Sequence, residues 1–310
     1  MFSSERLKGI DVFVIVADLG SFTAAAERLN LTNSAVSKSV ARLEGRLGVR
    51  LFRRTTRRLS LTEAGETFYR TCVGVLADLE EVETSLTSIH TEPQGKVRID
   101  LPASYGRLHV LPLILEFMKQ YPRLSPHISF ADRYVDPVHE GIDIVVRIGG
   151  SDAWPAAVGH QFLGNPKLIF CASPDYLRQY GSPESEADLD GHLCVGYGQN
   201  DGMAIPWFFK GRQKGEMERR IIHPHIAVGD GEGEVMAVLA GMGIAQLPTW
   251  LVQAHLDSGR LVEVLPHLAT PGLPINLLWL KSREALPKVS GLIAYLGANL
   301  TPSGRRPTPP

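Results

Sequence analysis

The chain has 310 residues, 32 Lys and Arg against 33 Asp and Glu, and 44 % hydrophobic residues, so the overall charge of −1 points to no particular partner. That balance hides an asymmetry: residues 1–62 carry 11 basic against 5 acidic side chains, and residues 63–90 carry 1 against 6. Only Cys72, Cys171 and Cys194 are cysteines and no signal-peptide pattern is present, which implies a reducing cytoplasm. No run approaches the roughly 18 apolar residues of a membrane span, which excludes a membrane partner of that kind.

Ser21 can cap a helix over residues 22–29, with a break at Asn30-Leu31. Thr32 can cap a second helix in which Val36, Val40, Leu43 and Leu47 recur on one face, and Gly48 ends it as a left-handed stop. The opposite face carries Asn33, Ser34, Ser37, Lys38 and Arg42, side chains small enough or cationic enough to approach base edges and phosphates; Thr23 and Thr32 at the helix starts join them. Two helices joined by a tight turn, the second polar outside, define a helix-turn-helix. Beyond Gly48, Leu51, Phe52, Leu59 and Leu61 anchor a β-wing whose Arg53, Arg54 and Arg57 reach for backbone phosphates. Double-stranded DNA is the partner that suits a basic head. The competing reading is a solvated basic face on a structural three-helix unit.

These pieces carry a family resemblance. Ser21-Phe22-Thr23-Ala24-Ala25-Ala26, Ser34-Ala35-Val36-Ser37-Lys38, Leu43-Glu44, the run from Leu47 to Thr55 and Leu61-Thr62-Glu63-Ala64-Gly65 resemble the N-terminal signature of LysR-type transcriptional regulators. The similarity continues in Gly95-Lys96-Val97-Arg98-Ile99, residues 117–122, Gly141-Ile142-Asp143 and Gly241-Met242-Gly243-Ile244, over nearly the whole chain. Asn33 stands where that family often has Gln, so no operator sequence can be carried over.

Phe68, Cys72, Val75, Leu79, Val82, Leu86 and Ile89 follow at alternating spacings of four and three, a heptad seam. A helix of about 27 residues would be about 40 Å long, too long for its stripe to be covered by a small head, and a partner helix is the simplest cover. Phe68, Val75, Leu79, Val82, Leu86 and Ile89 are therefore the expected dimer contacts, against the alternative that the stripe packs on the larger domain of its own chain. The resemblance implies an antiparallel pairing of this helix in a homodimer, and a tetramer as a dimer of dimers; RNA polymerase is a further partner such a regulator can meet.

Residues 91–95 break the helical pattern and form a hinge. Strands are then expected at 97–101, 127–131, 143–148, 160–163, 168–172, 192–197, 206–210, 221–228, 244–247, 261–265 and 276–281, with helices at 108–121, 232–240, 248–255 and 288–299. Interleaved strands and helices over about 200 residues indicate an α/β body that splits into two lobes. The expected fold is thus α/β: a winged helix-turn-helix at 1–62, a linker and dimerisation helix at 63–91 and an effector domain at 92–300. The resemblance implies the architecture of a periplasmic solute-binding protein for that domain, with lobe I at about 96–166 and 267–300 and lobe II at about 167–266. The chain would cross near Pro166 and Pro266. The tail, 301–310, lacks apolar residues to bury and reads as disordered.

For the effector, Ser104 and Tyr105 follow the first strand and open the next helix, and Arg147 ends a strand that can lie beside it. A helix start with a guanidinium favours a carboxylate or other small anion. Ser104 can instead be a mere cap, and Arg147 can pair with Asp132 or Asp143; the resemblance supports Ser104 as an effector contact. Gly202, Met203 and Asp230 are the expected contacts from the second lobe. Enzyme motifs are absent, and no cofactor or metal site is implied: His223 and His225 share one side of a predicted strand but lack a third ligand. Glu232 and Glu234 read as complements to a helix dipole, and the four tryptophans as packing. The sequence thus describes a cytoplasmic, sequence-specific DNA-binding regulator modulated by a small anionic effector, with a thiol sensor using Cys171 and Cys194, or an architectural DNA-binding protein without sequence preference, as rivals.

Overall fold

The computed structural model describes residues 8–54, 59–87, 92–133, 135–150, 154–198, 202–211, 213 and 216–305. It divides into two compact units, Met1–Thr91 and Glu92–Pro310.

In the first unit, helices α1 (Ile10–Leu19), α2 (Phe22–Leu29) and α3 (Asn33–Leu47) precede an antiparallel hairpin of β1 (Phe52–Arg54) and β2 (Leu59–Leu61), and α4 (Glu63–Thr87) closes it. The caps are as the sequence suggests: Ser21 accepts from the Ala24 N–H, Thr32 accepts from the Ala35 N–H, and Gly48 ends α3 at φ +71°. Helix α1 was not anticipated. It is so apolar that no helical stripe stands out against its background, yet it supplies Phe13 and Val16 to a core shared with Ala25, Val36, Val40, Leu43 and Leu51. Leu47, placed on the apolar face of α3 by its spacing, is exposed.

Glu44 ties α3 to the wing. Its buried carboxylate accepts the Leu51 N–H at 2.8 Å and the Phe52 N–H at 3.2 Å through one oxygen, while Arg50 pairs with the other at 3.1 Å. Gly65 allows α4 to pass the same spot, since a Cβ there would lie 2.1 Å from the Leu51 carbonyl oxygen.

The α4 seam requires a correction. The Phe68 ring lies 5.4 Å from that of Phe13, Cys72 is 2 % exposed and Leu76 packs on the same core, so the start of the stripe is covered by its own head. Phe68 is therefore a core residue here. The first three turns of α4 lie against α1, so the head covers a part of the stripe that the length of the helix alone leaves bare. Val75 and Leu79 are exposed. Of Val82 and Leu86 only the helical backbone is described, and Ile89 and Arg57 lie outside the described residues.

The second unit begins with β3 (Gly95–Leu101), which runs through a short helix α5 (Ala103–Tyr105) and one π turn (Gly106–Val110) into α6 (Leu111–Gln120). It continues with β4 (Leu124–Phe130), α7 (Pro137–Glu140), β5 (Ile144–Ile148), β6 (Val158–Gly164), β7 (Lys167–Ala172), α8 (Pro174–Tyr180), β8 (Val195–Tyr197), β9 (Trp207–Lys210), β10 (Met217–Arg220) and β11 (Ile226–Val228). The last part comprises α9 (Gly231–Leu239), β12 (Ala245–Pro248), α10 (Thr249–Asp257), β13 (Val262–Val264), β14 (Thr270–Pro271), β15 (Ile275–Leu280), α11 (Pro287–Asn299), β16 (Leu300–Thr301) and β17 (Gly304–Arg305). One sheet has the order β4-β3-β5-β15-β6, parallel at β4, β3 and β5; the other has the order β12-β7-β13, with β14 also on β7. Each sheet is the centre of a lobe.

The chain leaves the first sheet after Gly164 and returns to it between Pro271 and Ile275, several residues beyond the expected crossing at Pro266. Strand β14 is too short and proline-bearing to leave a period in the sequence. The two crossing segments hold each other: the Gly272 N–H donates to the Pro166 carbonyl at 2.6 Å, and Asn165 Nδ2 to the Gly272 carbonyl at 2.7 Å. The strand expected at 221–228 is confined to β11, with β10 separate before it. His223 and His225 consequently precede the strand, and the argument that placed them on one side of it does not apply. The tail is not wholly unstructured: β16 and β17 form a hairpin, and Thr301 accepts a hydrogen bond from the Tyr105 hydroxyl at 2.9 Å. Residues 306–310 lie outside the described residues.

Removing the Glu44 carboxylate leaves two buried backbone N–H groups without acceptors, each worth about 1–3 kcal/mol. Glu44→Ala should therefore destabilise the first unit by roughly 2–6 kcal/mol in urea unfolding. An unchanged midpoint would show that the carboxylate does not hold the wing.

Candidate functional site

The first unit presents one polar face. Thr32, Asn33, Ser34, Lys38, Arg42 and Arg53 are exposed and Ser37 is half-buried, because the apolar residues of α3 turn Val36, Val40 and Leu43 inward. Asn33 is already oriented: its Nδ2 donates to Thr23 Oγ1 at 3.0 Å, linking the start of the second helix of the motif to that of the first. The Thr32 hydroxyl accepts the Ala35 N–H at 3.2 Å, so it serves as a cap. Arg54 lies on β1 by its backbone. Cations beside the exposed end of a helix, with a hairpin alongside, form a surface for a duplex: the helix for the groove, the arginines for phosphates.

The second unit holds a cavity of about 260 Å³ between the two sheets. Its lobe I wall comprises Pro102, Ser104, Tyr105, Asp132, Arg147 and Ile148. The other wall carries Tyr197, Ile205, Pro206, Trp207, Phe208, Gly231, Glu234, Gln246, Leu247, Trp250 and Leu251. Ser104 is 5 % exposed and its hydroxyl has no hydrogen-bond partner among the described residues. It sits against the start of α9, where a Cβ on Gly231 would lie 3.3 Å from Ser104 Oγ. Side chains around it are mostly engaged. Gln246 is paired with the Phe208 backbone through both its amide nitrogen and its oxygen, at 2.6 and 2.8 Å. Tyr197 donates its hydroxyl to Asp132 at 3.1 Å. Tyr105 contributes its ring to the wall but sends its hydroxyl to Thr301.

Arg147 is where the expected geometry changes meaning. Strands β3 and β5 are neighbours, as supposed, but the partner is Asp100, at 2.7 Å and 2 % exposed, rather than Asp132 or Asp143. Arg147 also donates to the Ala131 carbonyl at 2.7 Å. The backbone N–H of Ala103 likewise donates to Asp132 Oδ1 at 2.9 Å. One N–H of the helix start and one terminal nitrogen of the guanidinium, the features that favour an anion, are thus already held by protein carboxylates. A smaller cavity of about 180 Å³ adjoins the same guanidinium, lined also by Val135, Trp154 and Leu278.

From the second lobe, Gly202 and Met203 do not line the cavity, and Met203 is 56 % exposed; the following residues, Ile205 to Phe208, are the ones that do. Asp230 is outside the lining as well. Its Oδ1 caps α9 by accepting the Gly233 N–H at 2.9 Å, and its other oxygen faces Arg107, which also pairs with Glu232 across the mouth between the lobes. The residue missed was Glu234. A helix-dipole role explains its position near the start of α9, but its side chain is 6 % exposed and lines the cavity. Trp207 and Trp250, read as packing, line it too. Burial pushes the Cys171 thiol up to about 12 and the Cys194 thiol to about 11, so neither supplies the thiolate that a redox sensor requires near neutrality.

A winged helix-turn-helix followed by a two-lobed α/β domain with a cleft defines a DNA-binding regulator that responds to a small molecule. The chain belongs to the LysR family of bacterial transcriptional regulators: residues 7–66 match the bacterial regulatory helix-turn-helix protein of the lysR family and residues 90–301 the LysR substrate binding domain. It is 37 % identical over 257 residues to the transcriptional regulator CrgA of Neisseria meningitidis, covering 83 % of this chain and 84 % of that one. It is 34 % identical over 280 residues to the transcriptional activator TtdR of Escherichia coli, covering 90 % and 87 %. The solved structure of CrgA superimposes with a TM-score of 0.60 at 30 % identity, covering 96 % of this chain and 99 % of that one. Among the described residues no helix is long and apolar enough to cross a membrane.

Burial, with the nearby Asp230 charge adding to it, pushes the Glu234 carboxyl up to about 8 from 4.5. The folded protein then holds a proton that the unfolded chain releases, so this contribution to stability is complete below about pH 4.5 and declines as pH rises to about 8. At its steepest the decline approaches about 1.4 kcal/mol per pH unit. Urea unfolding across this window should show Glu234→Gln losing that component of the slope; parallel pH profiles for the two proteins would contradict a buried, protonated Glu234.

Proposed function

We propose that the interlobe cavity is the effector site, with Ser104, the ring of Tyr105 and the side chains around Arg147 forming one wall, and that the exposed face of α3 with the wing is the operator-binding surface. The observation that carries the first assignment is the Ser104 hydroxyl. It is buried, without a partner among the described residues, and lines a cavity whose two walls belong to different sheets, so a ligand that satisfies it touches both lobes. A ligand can shift a conformational equilibrium only by binding its states unequally, and a site divided between two lobes provides that inequality. The hydrogen-bonded crossings at Pro166 and Gly272 are the natural pivot.

The reading includes a cytoplasmic homodimer assembled through the far part of α4, with a tetramer as a dimer of dimers. Val75 and Leu79 support it: two exposed aliphatic residues one turn apart on a helix whose earlier stripe is covered. RNA polymerase is the further partner, and the chain performs no catalysis. At the operator surface, Lys38, Arg42, Arg53, Arg54 and Arg57 bind phosphates, while Ser34, Ser37 and Asn33, the last steadied by Thr23, face base edges.

Two measurements check these assignments. Lys38→Ala, Arg42→Ala and Arg53→Ala should each weaken binding to all duplexes and lower the slope of log affinity against log salt by about one, whereas Ser37→Ala should relax the choice among sequences; unaltered salt slopes would misplace the interface. In sedimentation velocity, Val75→Lys combined with Leu79→Lys should yield monomers. A native assembly in that variant would remove α4 as the dimer contact.

A further inference from the structure

We propose that the effector is a small amine, its ammonium group seated on Glu234 and Ser104 and its apolar body lying against Trp207, Phe208, Leu247 and Trp250. The proposal rests on the reading of the cavity as the effector site and concerns what that site accepts.

Two features of the cavity attract anions and are engaged by carboxylates of the protein, Arg147 by Asp100 and the Ala103 N–H beside Ser104 by Asp132; the Gly233 N–H, outside the lining, is likewise capped by Asp230. A ligand carboxylate entering the cavity would find these positions filled and would lie among Asp132 and Glu234, with Arg147 already balanced. Among the described residues, the Ser104 hydroxyl has no partner, and Glu234, a residue only 6 % exposed, makes no side-chain hydrogen bond or ion pair. Two donors of the lining, Arg147 Nε and Trp250 Nε1, are also unpartnered among the described residues. A buried carboxyl and a buried hydroxyl are both acceptors, and an ammonium brings three donors with the charge that a buried carboxylate requires. The rest of the wall is aromatic and aliphatic, which suits a short apolar body.

Protons give the proposal a signature. With the cavity empty, Glu234 is pushed up to about 8 and is mostly protonated at neutral pH. An alkylammonium, which titrates near 10 as the lysine side chain does, enters already charged. Pairing then converts the carboxylic acid to a carboxylate, the ammonium keeps its three protons, and the carboxyl proton goes to solvent. One proton is released per ligand bound below about pH 8, so affinity should rise with pH toward that value. The other titratable groups turned toward Glu234 are Asp230 before α9, Tyr197 on β8 and Cys171 on β7, with Asp132 and Arg147 around the same cavity. Burial holds Tyr197 and Cys171 well above this range, so both stay neutral.

The test is titration calorimetry and thermal shift on the full-length protein with butylamine and phenethylamine, each against its carboxylate counterpart, valerate and hydrocinnamate. An amine should bind and raise the melting temperature, with affinity increasing several-fold between about pH 6.5 and 7.5 and with buffer-dependent heats that report proton release. Glu234→Gln should weaken it by about tenfold or more and abolish the pH dependence. Ser104→Trp should block it; Gly231→Leu obstructs the same spot from the other lobe if that variant folds poorly. If a carboxylate binds in a manner blocked by these plugs while the amines do not bind, the cavity stands as the effector site and the amine assignment falls. Silence of all four probes, or amine binding indifferent to Glu234→Gln, overturns the proposal as well.

Discussion

The Arg147–Asp100 ion pair determines what the effector domain can do. It lies between two adjacent parallel strands at the end that faces the cavity, with Asp100 also accepting from Ser129 at 2.6 Å and Arg147 also donating to the Ala131 carbonyl. Taking both charges out of water costs several kcal/mol per ion, and only mutual pairing with these extra hydrogen bonds offsets that cost. An incoming anion would have to draw Arg147 away and leave Asp100 buried and unpaired. The pair therefore joins the strand ends beside α5, which carries Ser104, and balances the most obvious cation of the cavity with a protein carboxylate.

The same logic extends around the cleft. Each polar group near the mouth is restrained by a neighbour: Asp132 by Ala103 and Tyr197, Asp230 by Gly233 and Arg107, and Gln246 by the Phe208 backbone. Among the described residues, the two unengaged groups of the lining that can accept from a ligand, the Ser104 hydroxyl and the Glu234 carboxyl, are on opposite lobes. A ligand that satisfies both replaces two desolvated, unpaired groups with hydrogen bonds, and it does so only when the lobes are close enough for both to reach it. That is a physical route from binding to conformation, requiring no more than the difference in contacts between a closed and an open cleft.

Much of the architecture was legible because it leaves local marks. Ser21, Thr32 and Gly48 fix the ends of the helix-turn-helix, the alternation of Phe52, Leu59 and Leu61 with arginines marks the wing, and most strands of the effector domain are apolar runs bounded by glycine or proline. What was illegible depends on partners distant in sequence. Helix α1 has no polar stripe to reveal its period, and Phe68 and Cys72 satisfy a heptad while serving the core around Phe13. Asp100 is an isolated acid within a strand until β5 brings Arg147 beside it. Glu234 illustrates the limit most clearly: a carboxylate in the first turn of a helix has a sufficient local explanation, and only the fold shows that the turn faces a closed space.

Infrared difference spectroscopy of wild type minus Glu234→Gln at neutral pH is the most direct check on the central claim that the Glu234 carboxyl, unengaged among the described residues, is buried and protonated. A carboxylic acid C=O band that is present in the wild type and missing from the variant is the result this account requires. A carboxylate band in its place would mean that Glu234 is ionised in the empty cavity and would contradict the account.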